Sequence, residues 1–311
     1  MPDGTKGTSA KAARVSPRFG ELPVLGPAGF YRLAYADWGP PDAHQVVLCV
    51  HGVSRNCHDF DFLAADLAAS GMRVVAPDLP GRGRSDWLSS GAHYDNDVYL
   101  PAMAALVARL GVPQVDWVGT SLGGYIGMAM AALPHNPIRR LVLNDFGARV
   151  GHTALRRIAT YLRVAPKFRD VAAAEVYLRE VLAPFGALTN AQWQHMARHS
   201  LVKGDKGWRW HYDPAIASNF SLLISFDVVL WHLWDEIACP TLIMRGEDSD
   251  LLAPRTVNEM LQRGHAAAAG DVALVEWPGC GHAPSLMADD QIACVRDFLL
   301  RPKDETVRAL K

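Results

Sequence analysis

Over most of its length this chain alternates short apolar runs with alanine-rich stretches of helical periodicity, and few folds accept that alternation. The runs are "QVVLCV" ending at Val50, "MRVVAPD" ending at Asp78, "QVDWVG" ending at Gly119, "RLVLND" ending at Asp145, "TLIMRG" ending at Gly246 and "VALVEWPG" ending at Gly279. Each is apolar along most of its length rather than at every second residue, the pattern of parallel strands covered by helices on both faces. Helices are predicted over Asp59–Ser70, Asp95–Leu110, Ser121–Leu133, Pro254–Arg263 and Leu286–Leu300, where apolar residues recur at three- and four-residue spacing. A hairpin is predicted in "ELPVLGPAGFYRLAYADWG", turned at Gly26-Pro-Ala-Gly29. The fold class is therefore α/β, with a mostly parallel central sheet flanked by helices.

The alternation fails between Asp145 and Thr241. That region holds no convincing buried strand but several helical pieces, among them "ALRRIATYLRVA", "DVAAAEVYLREVLAPFG" and "NAQWQHMARHSL". A chain of 311 residues, 50% of them hydrophobic, is long enough for a core domain and an inserted subdomain. The predicted organisation is a loose polar arm over 1–17, a core over 18–147 and 238–303, and a helical cap over 148–237. The cap region is rich in aromatics: Trp193, Trp208, Trp210, Trp231, Trp234, Phe185, Phe220 and Phe226 lie in or just after it. Rings in a small helical insertion usually form its own core and its seam with the main domain. An apolar pocket follows from this composition more naturally than a sugar or nucleotide site.

Charge and cysteine usage remove other classes. A formal net charge of -1 gives no basic excess for nucleic acid. The cysteines, Cys49, Cys57, Cys239, Cys280 and Cys294, form no CxxC pair and fit neither a disulfide framework nor a zinc ribbon. No apolar run approaches the roughly 20 residues of a membrane span, and "MPDGTKGTSAKAARVSP" lacks the apolar stretch of a secretion signal. A cytoplasmic protein with reduced thiols, a small-molecule substrate and no cofactor is expected. The oligomeric state is left open.

The chemistry points to "DWVGTSLGG", residues 116–124. A strand running into a helix through Gly-x-Ser-x-Gly puts the serine on a sharp turn, with glycines where a side chain would strike the neighbouring strand or helix. The N-terminus of the following helix stabilises negative charge beside the Ser121 hydroxyl. Such a serine needs a histidine base and an orienting carboxylate. His282, in "PGCGHAP", lies in a glycine-rich loop after the last predicted strand. Asp248 and Asp250, in "RGEDSDLLAP", follow the strand before it. All of these stand at C-terminal ends of predicted parallel strands, where open α/β sheets place their sites.

From about Phe30 to Leu300 the chain resembles the α/β-hydrolase fold superfamily, in particular its capped serine hydrolases of esterase type. "VVLCVHGVSRN" resembles the strand and His-Gly loop that carry half of an oxyanion hole, and "VVAPDLPGRGRSDW" the strand and loop one helix later. "GTSLGG" matches the nucleophile elbow and "GHAP" the histidine loop. The resemblance implies Ser121 as nucleophile, His282 as general acid and base, and the backbone N–H groups of Val53 and Leu122 as oxyanion donors. For the acid, the family pattern sets a carboxylate four residues before the helix-starting proline and three after the glycine, whereas "GEDSDLLAP" is one residue longer. Counting back from Pro254 gives Asp250; counting forward from Gly246 fits neither aspartate. Asp250 is favoured, with Asp248 second and Asp145, where some relatives carry their acid, third. The implied activity is hydrolysis of a carboxylic ester of a small or medium, mainly apolar substrate. Carbon–carbon bond hydrolysis of a diketone-like compound and a non-catalytic ligand receptor are the alternatives.

Other residues read more plainly. "GRGRS" at Gly81–Ser85 lacks the Gly-Lys-Ser/Thr of a phosphate loop and reads as a tight turn. His195 and His199 stand four apart, as zinc ligands can, but no Glu follows the first and no third ligand is evident, so a solvated cap helix and no metal are expected. Cys49 and Cys280 read as packing residues. Arg55 is expected at the surface, with a substrate carboxylate as its other possible partner.

Overall fold

The computed structural model describes residues 16–164, 166–205, 207–219 and 225–302. Most of the predicted N-terminal arm, and Phe220, lie outside the described residues. The chain opens with the expected hairpin, β1 (Arg18–Gly26) and β2 (Gly29–Trp38), and continues through β3 (Val46–Val50), α1 (Asp61–Ala69), β4 (Arg73–Pro77), α2 (Asn96–Leu110), β5 (Val115–Thr120), α3 (Leu122–Ala131) and β6 (Ile138–Asn144). The inserted region carries β7 (Arg149–Val150), α4 (His152–Arg163), α5 (Val171–Val181), α6 (Asn190–His199), β8 (Leu201–Gly204), β9 (Gly207–Trp210), β10 (Val228–Val229) and α7 (Trp231–Trp234). The sheet then resumes with β11 (Thr241–Gly246), followed by α8 (Pro254–Met260), α9 (His265–Ala269), β12 (Val272–Trp277) and α10 (Asp289–Leu300).

Eight strands form one sheet in the order β1-β2-β4-β3-β5-β6-β11-β12. Every pair from β4 to β12 is parallel, and the edge hairpin is antiparallel both within itself and where β2 meets β4. All five residues of β3 are buried, as the continuous apolar run requires of a strand covered on both faces. Successive side chains point to opposite faces, so each strand feeds two cores. Leu48, Val50, Leu141 and Leu143 pack with α2, α3 and α4, while Val47, Cys49, Val118 and Val142 pack with α1 and α10.

Register brings the chemistry together. Thr120 pairs with Asn144, and Asn144 with Met244, so the C-terminal ends of β5, β6 and β11 lie side by side. The hydrogen-bonding continues one residue further: Ser121 N–H donates to Asn144 O at 3.0 Å and Asp145 N–H to Met244 O at 2.7 Å.

The inserted region is not purely helical. β7 pairs with β10, which closes the two ends of the insertion against each other, and Asp227 beside them accepts from Arg149 and His152. A second ladder joins β8 to β9. These strands are two and four residues long, too short to leave a periodic signal in the sequence.

The turn between β5 and α3 explains its glycines. A Cβ on Gly119 would collide with the Gly123 carbonyl, and one on Gly123 with the Val50 carbonyl, both backbone atoms that cannot swing aside. Helix α3 can therefore approach β3 only with glycine at position 123. Gly123→Ala is expected to destabilise the protein by at least about 1–3 kcal/mol, the usual cost of overpacking. The measurement is the urea unfolding midpoint, and an unchanged midpoint would contradict this account of the turn.

Candidate active site

Ser121 stands at the N-cap of α3 with φ 53 and ψ -112, a left-handed conformation that side chains rarely adopt. Its hydroxyl lies 2.9 Å from His282 Nε2. The other imidazole nitrogen, His282 Nδ1, lies 2.7 Å from Asp145 Oδ2. The Asp145 carboxyl is wholly buried at the end of β6 and is further satisfied by the Ser249 hydroxyl, which donates at 2.6 Å, and by the Gly246 amide at 3.2 Å. Both carboxylate oxygens are thus engaged, which fixes the carboxylate plane and through it the ring of His282.

The expected acid is accordingly corrected. Asp250 lies on the rim, its side chain 45% exposed, and receives Nε–H and Nη2–H from Arg157 of α4 at 2.6 and 2.8 Å. Burial alone would raise its pKa, but the Arg157 guanidinium outweighs this and holds the carboxyl below its ordinary value. Asp248 is exposed, and among the described residues only its backbone amide is engaged, with Cys280 O. The residue three beyond Gly246 is Ser249, buried, and its hydroxyl points at Asp145. The place where the family pattern seats a carboxylate after β11 is filled by a donor that supports one arriving from β6. A forward count from Gly246 that ended on a serine was the one sequence signal for this.

Val53 and Leu122 flank Ser121, and neither backbone N–H has a hydrogen-bond partner among the described residues. Leu122 is the first residue of α3, where amide donors are left over and the helix dipole is positive. Arg82, expected only in a tight turn, holds the Val53 carbonyl. Arg82 is fully buried; its Nε–H donates to Val53 O at 2.9 Å and its Nη1 to Pro80 O and the Tyr99 hydroxyl at 2.7 Å. His51 completes the support: it accepts from Leu79 N–H at Nε2 and donates to Gly52 O from Nδ1, and burial pushes its pKa down to about 4, so it is neutral. Arg55 is neither at the surface nor free for a carboxylate. It is buried, forked onto Asp59, and donates to the Ser200 hydroxyl at 2.8 Å.

A cavity of about 530 Å³ opens over Ser121. Its walls include Tyr125 and Phe146 from the core and Leu155, Ile158 and Ile216 from the insertion. The insertion's tryptophans are elsewhere. Trp193 packs with Leu178 and Met196 inside the insertion, Trp234 is buried against the core, and the Trp210 ring lies against Phe168 and Tyr177. The insertion's tryptophans therefore serve its own packing, and it is the insertion's aliphatic side chains, with core aromatics such as Tyr125 and Phe146, that face the cavity.

An oriented serine, a histidine in contact with it, a buried carboxylate and two spare amides make an arrangement able to attack a carbonyl and hold the resulting oxyanion. Comparison with known proteins agrees with the class. Residues 47–293 match the model of the alpha/beta hydrolase family, and the chain belongs to that family. It is 40% identical to the 3-hydroxybutyrate-oligomer hydrolase of Cupriavidus necator, over 91% of this chain and 98% of that protein. It is 32% identical to lipase LipV of Mycobacterium tuberculosis, over 85% of this chain and 96% of the lipase. Among solved structures, an alpha/beta hydrolase from Novosphingobium aromaticivorans superposes with a TM-score of 0.80 at 32% identity, covering 92% of this chain and 99% of that one. No helix among the described residues is long and apolar enough to cross a membrane.

The two aspartates separate cleanly by mutation. Asp145→Asn is expected to lower kcat by about 10⁴-fold, the size of effect seen when an orienting carboxylate is lost from a serine protease. Asp250→Asn should stay within a few-fold of wild type. Ester turnover measured on both purified variants would contradict the geometry if their order were reversed.

Proposed function

We propose that this protein is a serine esterase that hydrolyses short oligoesters of hydroxy acids, 3-hydroxybutyrate oligomers being the nearest named case. The observation that carries the reading is the continuous contact from Asp145 through His282 to the Ser121 hydroxyl, at 2.7 and 2.9 Å. In the first step Ser121 Oγ bonds to the ester carbonyl carbon while its proton passes to His282 Nε2. The carbonyl oxygen becomes an oxyanion held by the Val53 and Leu122 amides, and Asp145 stabilises the imidazolium across Nδ1. As the tetrahedral centre collapses, His282 returns the proton to the departing alkoxide, leaving an acyl-Ser121. Water then repeats the sequence and releases the acid.

Substrate class rests on two supports. The relative named for 3-hydroxybutyrate oligomers is matched along nearly its whole length. The cavity, about 530 Å³ and walled by Leu155, Ile158 and Ile216, suits short branched aliphatic units better than long acyl chains.

Hydrolysis of 3-hydroxybutyrate dimer and trimer, followed by chromatography of the released acid, tests the proposal. Ser121→Ala should lose at least about 10⁴-fold in kcat/KM, and a fluorophosphonate probe should label wild type at Ser121 alone. Ile158→Trp should depress turnover of the trimer more than that of the dimer. Near-wild-type activity in Ser121→Ala would overturn the nucleophile, and rapid cleavage of p-nitrophenyl butyrate without any cleavage of the oligomers would overturn the substrate class.

A further inference from the structure

Apart from the residues that line the cavity over Ser121, four side chains with metal-binding chemistry converge at the seam between the core and the insertion. His58 and Asp61 come from the turn that enters α1, three residues apart, and His195 and His199 from α6, four apart. Residues at those spacings share one helical face, so each element offers a chelating pair, and the two pairs face each other. Asp61 Oδ2 lies 3.0 Å from His58 Nδ1 and 3.3 Å from His195 Nε2. The ligand atoms of His58, Asp61 and His199 fall within 4.8 Å of one another. The His199 ring stacks on His58 at 3.8 Å and lies 4.5 Å from His195, yet makes no hydrogen bond among the described residues.

We propose that His58, Asp61, His195 and His199 bind one divalent transition-metal ion of the zinc or nickel kind, and that the ion clamps α6 to the core. Imidazole and carboxylate suit these ions, with bonds of about 2.0–2.2 Å; neighbouring ligand atoms around a tetrahedral ion are then about 3.3 Å apart. The Asp61 contacts to His58 and His195 already have that spacing, and on binding the ion His195 Nε2 gives up its present hydrogen bond to His58 O at 3.0 Å. The ring of His199 needs only to rotate from its stack to present a nitrogen. Phe62 sets its edge against His195 at 5.1 Å, and the Asn56 amide donates to His199 O at 2.8 Å, so both ends of the α6 pair are positioned by neighbours outside the proposed set. Solvent reaches the group through a surface cleft of about 700 Å³ that Asp61, His195 and His199 line.

The seam bears on the catalytic side through the chain itself. Arg55 and Asn56, which anchor Ser200 and His199 to the core, lie two and three residues after Val53. Closing a metal across His58 and α6 ties the insertion to the segment that carries one candidate oxyanion amide.

The test is calorimetric titration of chelator-treated full-length protein with zinc chloride and with nickel chloride, alongside thermal melts. The proposal expects one ion per chain and a rise in Tm of about 3 °C or more at a hundredfold excess over Kd. His199→Ala and His195→Ala should each weaken binding at least about 10-fold, whereas Ser121→Ala and His282→Ala should bind as wild type does. Both α6 histidines are half-buried at the seam; circular dichroism without metal confirms that the variants fold, and His199→Gln serves if His199→Ala does not. Absence of stoichiometric binding, binding unchanged in the α6 variants, or binding lost in His282→Ala would each overturn the site. Because the readout is binding, it stands or falls separately from the esterase reading.

Discussion

The buried carboxylate of Asp145 ties together the three loops that form the candidate site. It leaves the end of β6, receives the Ser249 hydroxyl and the Gly246 amide from the β11 side, and meets His282 from the loop after β12. A carboxylate wholly withdrawn from water is costly unless hydrogen bonds surround it. Here the bonds come from groups whose positions are set by parallel register: Thr120, Asn144 and Met244 stand abreast, and the loops of the candidate site begin one residue further on. The same network that satisfies Asp145 therefore aims the imidazole at Ser121, and sheet register is the cause of both.

Much of this was legible in the sequence because it depends on local rules. Continuous apolar runs marked β3, β5, β6 and β11 as strands covered on both faces, and the glycines around Ser121 marked a turn in which backbone approaches backbone. Gly119 and Gly123 abut carbonyl groups with no room for a methyl. The acid was legible only as one of three aspartates. Spacing along a single loop favoured Asp250, but which carboxylate reaches a histidine is decided across three strands, and loop length carries no record of the neighbouring strand. Ser249 was the clue, since a hydroxyl stands where a carboxylate was sought and has its own carboxylate to serve.

Long-range partners explain the other differences. Arg55 and Arg82 read as surface or turn residues because nothing nearby in sequence announces their acceptors; Asp59 and the Val53 carbonyl are reached only in the fold. The aromatic content of the insertion behaves as its composition suggested, Trp193 and Trp210 giving a small subdomain a core of its own, and what the sequence did not announce is that Leu155, Ile158 and Ile216 stand over Ser121. His195 and His199 lacked a third ligand in their own helix; His58 and Asp61 lie more than a hundred residues earlier in the chain.

The central claim is that Asp145, and no residue of the loop after β11, holds the proton on His282 Nδ1. Proton magnetic resonance of the imidazole N–H region tests it directly, because an N–H bound to a buried carboxylate is shielded from exchange and resonates far downfield of the amides. Wild type and Asp250→Asn are expected to show the same low-field His282 signal, and Asp145→Asn to lose it. A signal that survives in Asp145→Asn and disappears in Asp250→Asn would contradict the account.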